Sequence, residues 1–176
     1  WRRFNGDKDP NDYRRILSGE NISFADAYLA REQLIDVYSW AIPSPEALVA
    51  IRDLNLPICE IGAGLGYWGY LLRQLGVEIH CYDKYPAKEP WMEIIESSEE
   101  IAEEFPKAAL FLCWPPYNQP MAYNALNLFA GDIVIYIGEG SGGCTGDYQF
   151  HELLESDFQE KTCIHLPQHY GIRDDL

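Results

Sequence analysis

Three glycines at alternate positions, Gly62, Gly64 and Gly66, follow an apolar run that closes with an acid, Glu60. A second acid, Asp83, stands at the end of the next apolar run, residues 77–82. Glycines in a tight bend let the backbone press against a ligand, because no Cβ intervenes. A carboxylate roughly twenty residues further on can accept bonds from the hydroxyls of a ribose. Together they point to an adenosine-containing ligand held at the bend. The dinucleotide fingerprint G-x-G-x-x-G is broken, since its third glycine falls at Tyr67. Glu60 also opposes a pyrophosphate and suits a cationic group, an ammonium or a sulfonium. No G-x-x-x-x-G-K-[ST] loop is present, which argues against a P-loop nucleotide site.

Other residues with chemical potential lie in later loops. Trp114-Pro115-Pro116-Tyr117 follows an apolar run. Its prolines fix the backbone and leave carbonyls free, and Tyr117 can stack on a flat acceptor or hydrogen-bond it. The segment 138–146 holds five glycines in nine residues. It reads as a lid, as a backbone that closely approaches a ligand or another loop, or as a plain surface loop. Glu139 within it is the best-placed carboxylate for a base, and His169 is a second candidate facing an acceptor pocket. Cys144 has no histidine partner in sequence, and His151 reads as a structural histidine. Tyr38, Trp40, Tyr67 and Trp68 offer aromatic faces that attract a sulfonium or pack in a core.

The elements that must position these residues alternate. Strands are expected near 57–61, 77–82, 92–95, 109–113, 132–137 and 160–166, and helices near 66–75, 97–105, 119–129 and 147–156. Short apolar strands alternating with helices predict an α/β, Rossmann-like, mostly parallel sheet with helices on both faces. Ligands then bind beyond the carboxyl ends of the strands, where all the loops above fall. Ahead of this core, residues 1–56 read as an arm and a helical cap, with 57–176 the cofactor-binding core of one compact domain. One helix starts at Ser23, with Asp26 after it and Ala27, Ala30, Leu34, Val37 and Tyr38 on its apolar face. A second opens at Ser44-Pro45-Glu46, with Leu48, Ile51 and Leu54 inward.

The 176 residues suit one domain with a full core, and 47% apolar content excludes disorder. Thirteen basic against 28 acidic residues give a net charge of −15, which repels phosphate backbones and disfavours nucleic acid as a partner. Five widely spaced cysteines suggest no metal site and suit free thiols in a reducing, cytoplasmic compartment. No signal peptide and no apolar run of membrane-spanning length is visible.

Glu60-Ile61-Gly62-Ala63-Gly64-Leu65-Gly66, with Asp83 beyond it, resembles the first motif of class I S-adenosylmethionine-dependent methyltransferases. Trp114-Pro115-Pro116-Tyr117 resembles that family's fourth motif, which in amino-methylating members reads Asn or Asp followed by Pro-Pro-Tyr. The resemblance covers residues from about 57 to 166. It implies that Gly62, Gly64 and Gly66 cradle the methionine part of S-adenosylmethionine, with Glu60 near its ammonium and Asp83 on the ribose. Glu96, or Ser97 beside it, then neighbours the adenine, and Trp114 lines the site. The departure is Trp114 itself, since indole donates one hydrogen bond and accepts none. The expected function is methyl transfer to a small-molecule or protein acceptor. A non-catalytic binding module of the same fold is the alternative, and an NAD-dependent oxidoreductase a third reading.

Overall fold

The structure, a computed structural model, describes residues 31–167. The expectations for Ser23, Asp26, Ala27, Ala30 and His169 fall outside them. Residues 31–35 are helical. Helix α1 (Pro45–Asp53) begins as its sequence requires: the Ser44 side chain accepts a bond from the Ala47 amide, proline occupies the first turn, and Glu46 and Arg52 oppose the two ends of the dipole. Its buried positions are Ala47 and Ile51, whereas Leu54, expected inward, follows the last turn and is exposed.

The core then runs β1 (Ile58–Ile61), α2 (Tyr67–Gln74), β2 (Ile79–Asp83), β3 (Ile95–Glu96), a 3-10 turn (Glu99–Glu104), β4 (Ala109–Cys113), α3 (Met121–Leu128), β5 (Val134–Ile137) and α4 (Tyr148–Asp157). The five strands form one parallel sheet in the order β3-β2-β1-β4-β5. Alternate side chains serve opposite faces. Ile58, Ile79, Cys81, Phe111, Ile135 and Ile137 pack with α1 and α2, through Ala47, Ile51, Trp68 and Leu72. Cys59, Ile61, Tyr82, Leu110 and Leu112 pack on the other face with Ala102, Ala122, Leu126 and Phe150. A sheet covered on both sides explains why its strands read as continuous apolar runs.

Two expectations are corrected. No strand forms over 160–166; His165 makes only a single-residue bridge. Polar and charged residues at 159–162 give that segment no two-sided apolar run to bury. The strand near 92–95 shrinks to Ile95–Glu96, and the helix expected at 97–105 is a 3-10 turn. Its run Glu99-Glu100-Ile101-Ala102-Glu103-Glu104 buries only Ala102.

Candidate functional site

The chain moves outward from β1 to β3, then returns to place β4 on the other side of β1. This reversal opens a crevice between the tips of β1 and β4. The glycine bend leaves β1 on one side of it, and Trp114 leaves β4 on the other.

Gly62, Gly64 and Gly66 all have positive φ, 75°, 57° and 69°. Only glycine enters that region without strain, so the alternate spacing is a backbone requirement of the bend. A Cβ on Gly62 or Gly66 would crowd Met121 or Ile94 and Met92, whereas one on Gly64 would meet nothing within 4 Å. The middle of the bend therefore faces open space. Asp83 holds the bend in place: its Oδ2 accepts from the Gly64 amide at 2.8 Å and its Oδ1 from the Tyr85 amide at 2.8 Å. Each oxygen keeps a further lone pair. Glu96 lies beside Asp83 in strand register and is exposed, and the Ser97 amide bonds the Asp83 carbonyl.

Glu60 faces elsewhere. It is 2% exposed and points from β1 into the layer under α2, where its Oε2 accepts from the Cys81 thiol at 3.0 Å. The Gly69 amide also bonds it. Burial pushes its carboxyl up to about 7, and the charge of Asp83 adds to the rise. Room for this carboxylate comes from Gly69, where a Cβ would stand 2.4 Å from Cys81 Sγ and 2.9 Å from Glu60 Oε2. The sequence offered Gly69 no distinction; it is the residue that lets α2 approach the sheet, the role the dinucleotide fingerprint gives its third glycine.

An aromatic wall stands beside the bend. Tyr38 meets Tyr67 edge-on at 5.0 Å and stacks on Trp91 at 5.6 Å, and Tyr70 lies 5.4 Å from Trp91. Trp91 ties the wall together, since its amide donates to the Leu65 carbonyl and its indole N–H to the Val37 carbonyl at 2.7 Å. The Tyr38 hydroxyl is buried and has no hydrogen-bond partner. Trp68 is not part of this wall: it is a core residue, packed on Phe111 with its N–H on the Ala41 carbonyl. Trp91 escaped the sequence reading because it lies in an irregular stretch without periodicity.

Across the crevice, Trp114 adopts φ 52°, strained for a bulky residue, while its amide donates to the Ile137 carbonyl. Its ring stacks on Trp40 at 5.2 Å and 17°. The Arg31 guanidinium lies 5.2 Å from the Trp40 ring and 5.5 Å from the Trp114 ring. Tyr117 is 64% exposed. The glycine-rich loop is fastened rather than loose. Its Gly146 amide donates to the Pro115 carbonyl, and the Asn118 amide donates to the Gly146 carbonyl. Buried Thr145 shares a 2.6 Å hydrogen bond with Tyr136 and accepts from the Glu139 amide. The Glu139 carboxylate accepts from the Cys144 amide at 2.5 Å, so it closes its own loop. The His151 Nε2 is 2.8 Å from the Thr145 carbonyl, which makes that nitrogen the donor. The loop thus closely approaches a neighbouring loop.

No group of three or more metal-ligating side chains gathers among the described residues. No helix among them is long and apolar enough to cross a membrane.

No family model and no curated protein matches the chain. Solved structures do. The chain superposes on Burkholderia thailandensis 1,6-didemethyltoxoflavin-N1-methyltransferase, bound to 1,6-didemethyltoxoflavin and S-adenosylhomocysteine, with TM-score 0.56 and 14% identity over 97% of this chain and 89% of that one. The chain has the class I methyltransferase fold. Magnesium protoporphyrin IX methyltransferase from Synechocystis, with bound S-adenosylmethionine, matches with TM-score 0.50 and 15% identity over 94% of this chain and 88% of that one. In this fold the glycine bend, Asp83 and Glu96 stand at the tips of β1, β2 and β3, and Trp114, Tyr117 and Glu139 belong to the loops after β4 and β5.

Proposed function

We propose that the chain is an S-adenosylmethionine-dependent methyltransferase acting on a small-molecule acceptor. The observation that carries this reading is the bend of three positive-φ glycines braced by Asp83 at the neighbouring strand tip. The residues fit the cofactor. Open space over Gly64 leaves backbone edges available, and the spare lone pairs of Asp83 suit two ribose hydroxyls. The first turn of α2 carries no capping side chain, which suits a carboxylate there. The aromatic wall supplies faces for a cation, and the contacts of Tyr38 and Trp40 support the described residues 31–56 as a cap. Glu96, exposed and in register with Asp83, is the proposed neighbour of the adenine.

S-adenosylmethionine, held by the glycine bend and Asp83, would supply an electrophilic methyl group on a sulfonium sulfur, with the sulfide as leaving group. The chain's own contribution is to position the partners and exclude water. Trp114 provides a wall rather than an oxygen, so acceptor orientation falls to stacking, with Tyr117 as a further hydrogen-bonding group. Glu139 keeps lone pairs beyond its bond to the Cys144 amide and is the base candidate of the glycine-rich loop; His169 is a base candidate outside the described residues. None of the five cysteines forms a disulfide, in keeping with a proposed cytoplasmic setting.

Trp114 favours a second reading, a binding module that keeps the fold without catalysis. Calorimetry with S-adenosylmethionine, S-adenosylhomocysteine and NAD tests the first reading: the two sulfur nucleosides bind and NAD does not. Label transfer from methyl-labelled cofactor to a component of cell extract separates enzyme from module. Failure of both nucleosides to bind overturns the methyltransferase reading.

A further inference from the structure

We propose that the acceptor is a flat aromatic anion, gripped by Arg31, Trp40 and Trp114; this deepens the methyltransferase reading and rests on it. Three observations converge at the tip of β4. Arg31 has a buried Nε with no hydrogen-bond partner, and no carboxylate among the described residues pairs with its guanidinium. Among the described residues this cation is left without an acid, and its buried Nε calls for a partner. Its guanidinium lies against two stacked indoles, one of which, Trp40, is 45% exposed and offers a face for another ring. Trp114 is the first residue after β4, on the far side of the crevice from the glycine bend, and holds a strained backbone there.

The chemistry these groups select is specific. A cationic or neutral amine meets a positive charge and no acceptor oxygen at Trp114. A planar ring gains stacking on Trp40, and a carboxylate or ionised hydroxyl on that ring gains a charge-assisted bond to the guanidinium fork. That bond supplies the complement Arg31 lacks among the described residues.

The test titrates the full chain with 2-naphthoate and with its neutral shape-mate 2-naphthamide, following tryptophan fluorescence, with and without saturating S-adenosylhomocysteine. Naphthoate binds about ten-fold more tightly than naphthamide. Arg31→Gln abolishes that preference while leaving S-adenosylhomocysteine affinity unchanged, and Arg31→Lys keeps part of it. Cyclohexanecarboxylate, charged but without an aromatic face, binds more weakly than naphthoate. Equal binding of naphthoate and naphthamide overturns the proposal, as does an unchanged preference in Arg31→Gln. Should that variant fail to fold, the comparison of the two probes on the parent chain decides alone. S-adenosylhomocysteine bound with no naphthoate preference sinks the anion site and spares the cofactor reading. A naphthoate preference with no S-adenosylhomocysteine binding sinks methyl transfer and leaves an anion-binding site.

Discussion

Asp83 and Glu60 show how one functional group, the carboxyl, takes two roles through its surroundings. Asp83 stands half-buried at a strand tip with both oxygens on backbone amides, so it braces the bend and keeps capacity for a ligand. Removing it in Asp83→Ala frees the Gly64 and Tyr85 amides and the ribose partner together. We expect S-adenosylhomocysteine affinity to fall by about ten-fold or more, read by calorimetry, with a loss of ~1–3 kcal/mol of stability in urea unfolding. Glu60 is enclosed, and burial raises its carboxyl to about 7. Between the ordinary carboxyl value and about 7 the native chain therefore holds a proton that the unfolded chain has released. Its stabilising contribution is full at low pH and is lost as pH rises through about 7. Glu60→Gln, which stays neutral, should match the parent near pH 5 and exceed it at pH 8 by about 1–3 kcal/mol, measured as unfolding free energy at each pH. A gap that does not widen with pH would show that Glu60 is charged in the folded chain.

Helix α2 and the 138–146 loop are positioned by close approaches that side-chain composition does not announce. An interior Gly→Ala in a helix ordinarily gains ~0.5–1 kcal/mol, because glycine loses more backbone freedom on folding. At Gly69 the sign reverses, since the added Cβ overlaps Cys81, Met92 and the Glu60 carboxylate. Gly69→Ala should lower the melting temperature and cost about 1–3 kcal/mol through overpacking. The loop after β5 rests on Thr145, whose hydroxyl joins Tyr136 and the Glu139 amide. Thr145→Val keeps the shape and removes that junction. Faster hydrogen exchange at residues 138–146, together with a loss of ~1–2 kcal/mol, is the expected outcome; unchanged exchange would leave the Gly146 bonds to the β4 loop as the restraint.

At the scale of the whole molecule, the crevice between β1 and β4 decides what the loops can do together, and it exists because the strand order reverses at β1. Much of this was legible beforehand. The first, second and fourth strands, the N-terminal cap of the Ser44 helix and the glycine bend with Asp83 beyond it follow from local chemistry: apolar runs bury on both faces, Ser-Pro-Glu starts a helix, and alternate glycines mark positive φ. These are short-range constraints, written in neighbouring residues. The expected strand at 160–166 failed because pairing needs a partner edge as well as composition, and a single bridge at His165 is all that forms. Trp68, beside Tyr67 in sequence, fell to the core because helical rotation turns it toward Phe111. The bend and its acid were set by the sequence alone. Tertiary structure alone decided that Glu60 is buried under Gly69, that Glu139 closes its own loop, and that Arg31 meets Trp40 and Trp114. Those pairings join residues distant along the chain, and only packing determines which faces meet.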